Sequence, residues 1–291
     1  MNDPRDTFGL DRRAIARAFD RASGSYDAAA ALQERVRNEL LVRLDDLKVT
    51  PAAVLDLGAG TGHATRELKR RYSKALVVAS DIAPGMLAQA KAQSRWLRRF
   101  ERVRADAYAL PFRDGAFDLV FSSLMLQWCD DLDAVFAEIS RVLAPGGLLL
   151  FSTFGPGTLA ELREAWSASD PQYNHVNHFF DPHALGSALM QAGFTEPVLD
   201  VDRIVMPYPD TFALMRELKA IGAHNVTQGR SRGLTGRRRI AAMSLAYETQ
   251  RRDGSLPATY EVIHSTSWGG RPAAHSPLET FISPSAIRRR T

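Results

Sequence analysis

Apolar residues recur at three- and four-residue intervals between 12 and 45, first at Ile15, Ala18 and Phe19, then at Leu32, Val36, Leu40, Leu41 and Leu44. That spacing predicts two amphipathic helices, and Ser23-Gly24-Ser25 between them predicts a turn bearing Tyr26. From Pro51 the period changes. Short apolar runs at Ala53 to Leu57, Ala75 to Ser80, Phe117 to Ser122 and Leu148 to Thr153 alternate with helical patterns near 63–72, 84–94 and 131–143. Such alternation predicts parallel strands covered by helices, with right-handed crossovers and a ligand site at the carboxyl ends of the strands. The second half is less regular. It predicts helices near 157–167 and 182–192, a strand from Pro197 to Met206, helices over 210–221 and 235–250 with Thr235 as N-cap, and a closing strand over 258–267. Four regions follow: a helical lid over 1–45, a core over 46–206 completed by a strand at 257–268, a helical insertion over 207–256, and a flexible tail over 269–291.

Composition narrows the class. The 291 residues are 45% hydrophobic and 24% charged, with 20 Gly and 15 Pro, which excludes a collagenous, low-complexity or disordered chain. No apolar run approaches the ~20 residues a membrane helix needs, and Asp3, Arg5, Asp6 and Asp11 leave no apolar signal core, so a cytoplasmic protein is expected. The one cysteine, Cys129, can form no internal disulfide and has no metal-ligand spacing around it; a small buried hydrophobe is the expectation, and no metal is expected. The net charge of +4 is unevenly spread: residues 91–104 hold six Lys/Arg against one Glu, and residues 228–252 hold seven Arg against one Glu. Such runs are either solvated helix faces or surfaces for an acidic partner.

The most specific local signal is Val54-Leu55-Asp56-Leu57-Gly58-Ala59-Gly60-Thr61-Gly62-His63, an apolar strand running into three alternate glycines and then a helix. Glycine permits positive φ and leaves no Cβ in the way of a ligand lying over the turn. A second carboxylate, Asp81, ends the next strand. A dinucleotide site would use G-x-G-x-x-G to seat a pyrophosphate. Here the spacing is G-x-G-x-G, which suits a nucleoside with an amino-acid tail, with the second-strand acid accepting from the ribose hydroxyls; S-adenosylmethionine is that ligand.

The arrangement resembles the class I methyltransferases. The resemblance extends through Asp106-Ala107 after the third strand, Phe117-Asp118-Leu119-Val120 on the fourth, and Arg141-Val142-Leu143-Ala144-Pro145-Gly146-Gly147 before the fifth. It implies a Rossmann-like α/β fold, a seven-stranded, mostly parallel sheet with helices on both faces, carrying the lid and an insertion before the last strand. Asp56, Gly58, Ala59, Gly60 and Gly62 would then lie along the methionine end of S-adenosylmethionine, with Ser122 on the fourth strand beside them. Asp81 would take the ribose, Ile82 and Met86 the adenine faces, and Asp106 and Ala107 its amino edge. Met86 is equally a packing residue, and Arg141, on a covering helix, reads as structural.

Further segments are similar to the biotin-synthesis methyltransferases that esterify malonyl-acyl carrier protein: Ala18-Phe19-Asp20-Arg21-Ala22 to Ser25-Tyr26-Asp27 with Leu32-Gln33, Gln127-Trp128-Cys129, Phe154-Gly155-Pro156-Gly157-Thr158-Leu159, and Lys219-Ala220-Ile221-Gly222-Ala223 with Gly229-Arg230. The resemblance covers residues 12–268 and implies methyl transfer to a malonyl carboxylate, which is already ionised and needs no general base. Tyr26 is the first candidate to donate a hydrogen bond beside the methyl, or else it packs the lid. Trp128 walls the acceptor or the core. Lys219 and Arg230 are the cations placed to meet the carboxylate or a phosphopantetheine phosphate, and His175 and His178 are further candidates to line the pocket, or satisfied structural groups. The partner implied is an acidic acyl carrier protein docking on Arg230, Arg232, Arg237, Arg238 and Arg239, with a monomer, no membrane and no nucleic acid expected. Competing readings are a methyltransferase-fold arginine hydroxylase acting on a partner protein in complex I assembly, a quinone-type small-molecule methyltransferase, and a non-catalytic cofactor-binding adaptor.

Overall fold

The structure, a computed structural model, describes residues 9–94, 96, 98–172, 175–223 and 236–269. Arg230, Arg232, the Thr235 cap and the tail beyond Gly269 lie outside the described residues.

The amino-terminal stretch forms α1 (Arg12–Ala22), α2 (Tyr26–Ala29) and α3 (Ala31–Asp46). Asp11 caps α1 by accepting from the Ala14 N–H at 2.9 Å. Two helices were expected; a third arises because Tyr26 opens its own single turn, and Ala30, at φ −97° and ψ 36°, redirects the chain before α3. The buried residues of α3 are Leu32, Val36, Leu40, Leu41 and Leu44, the stripe that the apolar spacing predicts.

Seven strands form one sheet: β1 (Ala53–Leu57), β2 (Leu76–Asp81), β3 (Glu101–Arg104), β4 (Phe117–Ser123), β5 (Leu143–Phe154), β6 (Phe194–Tyr208) and β7 (Leu256–Gly269), in the order β3-β2-β1-β4-β5-β7-β6. The first five are parallel, and β7 runs antiparallel to β5 and β6. β5 begins earlier than its apolar run because Leu143 already pairs with Phe117 ahead of a register shift. Between the strands lie α4 (His63–Arg71), α5 (Pro84–Gln93), α6 (Leu132–Val142), α7 (Ala160–Ser169), α8 (Pro182–Gln191), α9 (Thr211–Ala220) and α10 (Arg237–Glu248).

Burial of apolar stripes places the layers. One sheet face packs under α6 and α8, around Phe136, Ile139, Leu185 and Phe151. The other packs under α3, α4 and α5, around Leu40, Leu68, Ala90 and Phe121. A third core joins α7, α9, α10 and the outer ends of β6 and β7 around Trp166, Leu214, Met243, Tyr247 and Tyr260. Helix α7 starts three residues later than expected, since Gly155 to Leu159 form a loop fastened to β7. Gly155 N–H donates to the Glu261 carbonyl at 2.8 Å, Gly157 N–H to the Glu261 carboxylate at 3.2 Å, and Leu159 N–H to the Thr259 carbonyl at 2.6 Å. A Cβ on Gly155 would stand 2.4 Å from Glu261 Oε1, so a larger residue there would displace this carboxylate from the loop. Among the described residues no helix is long and apolar enough to cross a membrane.

Candidate active site

Where β1 ends, Gly58 and Ala59 N–H both donate to the Ser80 carbonyl at 2.8 and 3.0 Å, turning the chain across the top of β2. The three alternate glycines all have positive φ, for different spatial reasons. A Cβ on Gly58 would sit 2.4 Å from Met125 Cγ, and one on Gly62 would sit 2.8 Å from Ala90 Cβ, so these two are close-packing positions. Gly60 has nothing within 4 Å of where its Cβ would be; its backbone faces open space. Gly60 N–H donates to one Asp81 carboxylate oxygen at 2.9 Å and Ala83 N–H to the other at 2.8 Å, so the second acid is aimed by the loop itself. Burial raises the Asp81 carboxyl, and these N–H groups oppose that shift. Asp56 is 1% exposed and accepts from Thr65 Oγ at 2.5 Å; burial pushes its carboxyl up to about 7, the Asp81 charge adding to the rise and the Thr65 hydrogen bond opposing it.

Gly58, Gly60, Asp81, Ile82, Met86, Asp106 and Ala107 line one cavity at the carboxyl ends of β1, β2 and β3, with about 770 Å³ of empty space including its mouth. Tyr26 and Trp128 close it from the other side. Asp56 and Ala59 line an adjoining recess that shares Tyr26, Gly58, Gly60 and Ser123 with it. Two expected residues stand elsewhere. Gly62 packs on α5, and Ser122 is buried with its hydroxyl donating to the Leu57 carbonyl at 2.8 Å; its neighbour Ser123 is the one that faces the cavity.

The cavity wall also contains Arg12, Phe19, Tyr108, Met125 and Cys129, which the sequence reading did not assign to the cofactor. Arg12 pairs with Asp106 at 3.1 Å and lies 4.7 Å over the Tyr108 ring. Tyr108 in turn donates to Asp130 at 2.7 Å. No sequence signal joins residues 94 apart. Cys129 is buried beside Met125, Sγ to Sδ 3.7 Å, and burial with the charges of Asp106 and Asp130 pushes its thiol up to about 12, so it is a neutral wall.

The lid is tied down at both ends. Leu10 N–H donates to Asp130 at 2.8 Å, Gly85 N–H to Asp20 at 2.6 Å, Thr61 Oγ to Asp27 at 2.7 Å, and His63 Nε2 lies 3.0 Å from the same Asp27 carboxylate. On the insertion side Ser25 Oγ donates to the Ala220 carbonyl at 3.0 Å, and Gly222 packs against Ala18 and Ala22.

A second cavity lies beyond Tyr26 and Trp128, sharing Phe19, Tyr26, Leu124 and Trp128 with the first. Phe19 meets Trp128 edge to face at 5.2 Å and leans on Tyr26 at 6.5 Å, so three aromatic rings form the partition. Burial and the charges of Asp81 and Asp27 raise the Tyr26 hydroxyl, which therefore keeps its proton and remains a donor. The wall also includes Gln33, Gln127, Phe154, Thr158, Leu162, His175, Asn177, Phe179, Leu218, Ile221 and Tyr260. Lys219 is exposed on α9 and lines neither cavity; Leu218 and Ile221, on either side of it, face inward. His178 opens onto a separate surface groove. Arg141 bonds Glu138, Asp114 and the carbonyls of Leu110 and Phe112, fixing the loop before β4. Arg237 and Arg238 are exposed at the start of α10, whereas Arg239 reaches the buried Asp170 at 3.1 Å.

A methyltransferase-domain family profile matches residues 55–151, which span β1 to β5 and the glycine loop. The fold is that of solved methyltransferase structures. The Bacillus subtilis YcgJ protein superposes with a TM-score of 0.58 at 16% identity, covering 80% of this chain and 99% of that one. Haemonchus contortus phosphoethanolamine N-methyltransferase 2, solved with S-adenosyl-L-methionine, gives 0.56 at 18% identity, covering 87% of this chain and 57% of that one. Sequence relatives reach further. The malonyl-(acyl-carrier protein) O-methyltransferase of Methylovorus sp. (strain MP688) is 48% identical over 98% of this chain and 97% of its own length. That of Halorhodospira halophila is 46% identical over 99% of both. Identity of this order reaches well past the glycine-loop core into the lid and the insertion, and the chain belongs to the malonyl-(acyl-carrier protein) O-methyltransferase family.

Proposed function

We propose that this chain transfers a methyl group from S-adenosylmethionine to the free carboxylate of a malonyl thioester carried on acyl carrier protein, giving the malonyl methyl ester from which a pimeloyl chain is built for biotin. The observation that carries this reading is the meeting of the two cavities at Phe19, Tyr26, Leu124 and Trp128. The first cavity fits the donor. Its wall holds the buried Ser80 hydroxyl without a hydrogen-bond partner, the open space at Gly60 and the Asp81 carboxylate, and Asp56 lines the recess that adjoins it.

When bound, S-adenosylmethionine supplies an electrophilic methyl group on a positively charged sulfur. Asp81 would hold the ribose hydroxyls, Asp56 the ammonium, Ile82 and Met86 the adenine faces, and Asp106 with Ala107 its edge. Tyr26 donates from the partition, and Phe19 and Trp128 exclude water. A carboxylate acceptor is ionised, so no side chain needs to remove a proton, and the reaction cancels opposite charges, which a dry site favours. Alignment across the partition is the chain's main contribution, worth ~7 to 11 kcal/mol in well-oriented cases.

The carrier is read from charge. Arg237, Arg238 and Arg239 occupy the first turn of α10, where the helix dipole favours acids and basic groups cost ~0.3 to 1 kcal/mol each. An acidic partner offsets that cost. Radiolabelled S-adenosylmethionine with malonyl-carrier protein should give labelled thioester, and acetyl-carrier protein, which lacks the carboxylate, should give none; label on neither defeats the proposal. Reversing Arg237 and Arg238 to Glu should raise KM for the carrier-bound substrate about tenfold and leave a short malonyl thioester unchanged; equal weakening of both removes the docking surface.

A further inference from the structure

The acceptor cavity has to hold a carboxylate, yet among the described residues lining it there is no lysine or arginine. The one lining side chain able to carry a positive charge is His175, whose imidazole is built into the wall. It stacks on the Trp166 indole at 3.8 Å with 12° between planes, and its Nε2 lies 3.1 Å from Asp170 Oδ2. Asp170, 4% exposed at the end of α7, also accepts from Arg239 at 3.1 Å. A buried carboxylate facing a guanidinium and an imidazole holds both in place, and with Nε2 committed to Asp170 the second ring nitrogen is left for a ligand. Asn177, two residues along the same wall, has a buried amide oxygen with no hydrogen-bond partner. That oxygen can only accept, so it suits a donor group on the acceptor's arm and not the carboxylate itself.

We propose that His175 is the acceptor-binding residue, its second ring nitrogen meeting the carboxylate of the malonyl group, and that Asp170 is the positioning residue that holds the ring through Nε2 and keeps it in the cavity wall. The inference rests on the malonyl reading above and deepens it. With one carboxylate oxygen held by His175, the other is free to face the Tyr26 partition. Arg239 links this cluster to the first turn of α10, so the surface read as the carrier's dock and the carboxylate site share one buried acid.

The test compares ligands that differ only in the carboxylate. In wild-type protein saturated with S-adenosylhomocysteine, malonyl-carrier protein should bind about tenfold or more tightly than acetyl-carrier protein. His175→Gln, which keeps a hydrogen-bonding side chain without the imidazole, should weaken malonyl-carrier protein at least tenfold, leave acetyl-carrier protein within twofold, and raise KM far more than it lowers kcat. Asp170→Asn should give part of the same loss, and the double variant should be no worse than His175→Gln alone. Calorimetric affinity for S-adenosylhomocysteine and the melting temperature serve as folding controls. Equal weakening of both carriers, or unchanged malonyl binding in either variant that still folds, overturns the inference while leaving the malonyl reading standing. Wild-type protein that neither binds nor methylates malonyl-carrier protein overturns both.

Discussion

The donor cavity takes most of its wall from three adjacent strand ends and the turns that follow them, so that Gly58, Gly60, Asp81, Ile82 and Asp106 arrive together once β1, β2 and β3 are paired. The acceptor cavity is assembled from pieces far apart in sequence: Tyr26 and Gln33 from the lid, Phe154 at the end of β5 with Thr158 and Leu162 beyond it, His175 to Asn177 with Phe179, Leu218 on α9 with Ile221 and Ala223 after it, and Tyr260 on β7. One is a local consequence of a parallel sheet with a switch point. The other exists only when lid, insertion and core are packed on each other. A donor site of this kind transfers between enzymes as a unit, whereas the acceptor is chosen by whatever is laid over it.

If the cavities are separate sites joined by a partition, substitutions in one should leave binding in the other intact. Asp81→Asn is the strongest case. Replacing a carboxylate that is held by two backbone N–H groups and is proposed to take the ribose should cost about 100-fold in affinity for S-adenosylhomocysteine, about 2.7 kcal/mol, with carrier-protein binding unchanged. Titration calorimetry with each ligand alone decides it. Parallel loss of both ligands would show one fused site. A matched glycine pair sharpens the point. Gly60 and Gly146 both sit at positive φ with nothing within 4 Å of a built Cβ, but only Gly60 faces the cavity. Alanine at either should cost ~1 kcal/mol of stability, read from thermal melts, while only Gly60→Ala should also lose about 30-fold in donor affinity.

The same contrast explains what the sequence discloses. Ala53–Leu57 and its glycine loop are legible to the residue because apolar run, turn and acid are contiguous, and the spacing carries the chemistry. Errors begin where a single residue of phase matters. Ser122 and Ser123 alternate across the sheet, and the one turned to the cavity is the second. Lys219 is flanked on α9 by the inward-facing Leu218 and Ile221, and helical rotation carries the cation outside. Arg12 and Tyr108 could not have been paired from spacing at all, since only the closed lid brings them together. His175 was visible as a histidine, but its partner Asp170 and its stacking on Trp166 depend on how the chain returns after α7.

The smallest expected effect is the pH dependence of Asp56. Its carboxyl is pushed up to about 7 by burial, so near neutrality the folded chain holds a proton that the unfolded chain, with an ordinary value of 3.8, releases. Stability of the ligand-free protein therefore falls as pH rises from about 4 to about 7 and levels off above that. An ammonium group bound at Asp56 favours the ionised form, so donor affinity moves the other way. Between pH 6 and pH 8 the ionised fraction of a group titrating near 7 grows about tenfold, and affinity for S-adenosylhomocysteine should rise by up to about the same factor, ~1.4 kcal/mol. Calorimetry at pH 6 in buffers of different ionisation enthalpy should show a proton released on binding. Asp56→Asn removes both trends: its unfolding curve loses the decline between pH 4 and 7, and its weaker donor binding becomes flat with pH. A wild-type affinity that is equally flat would mean that Asp56 serves the Thr65 hydrogen bond and the turn, with the ammonium held elsewhere in the recess that Arg37, Gln33 and Tyr26 line with it.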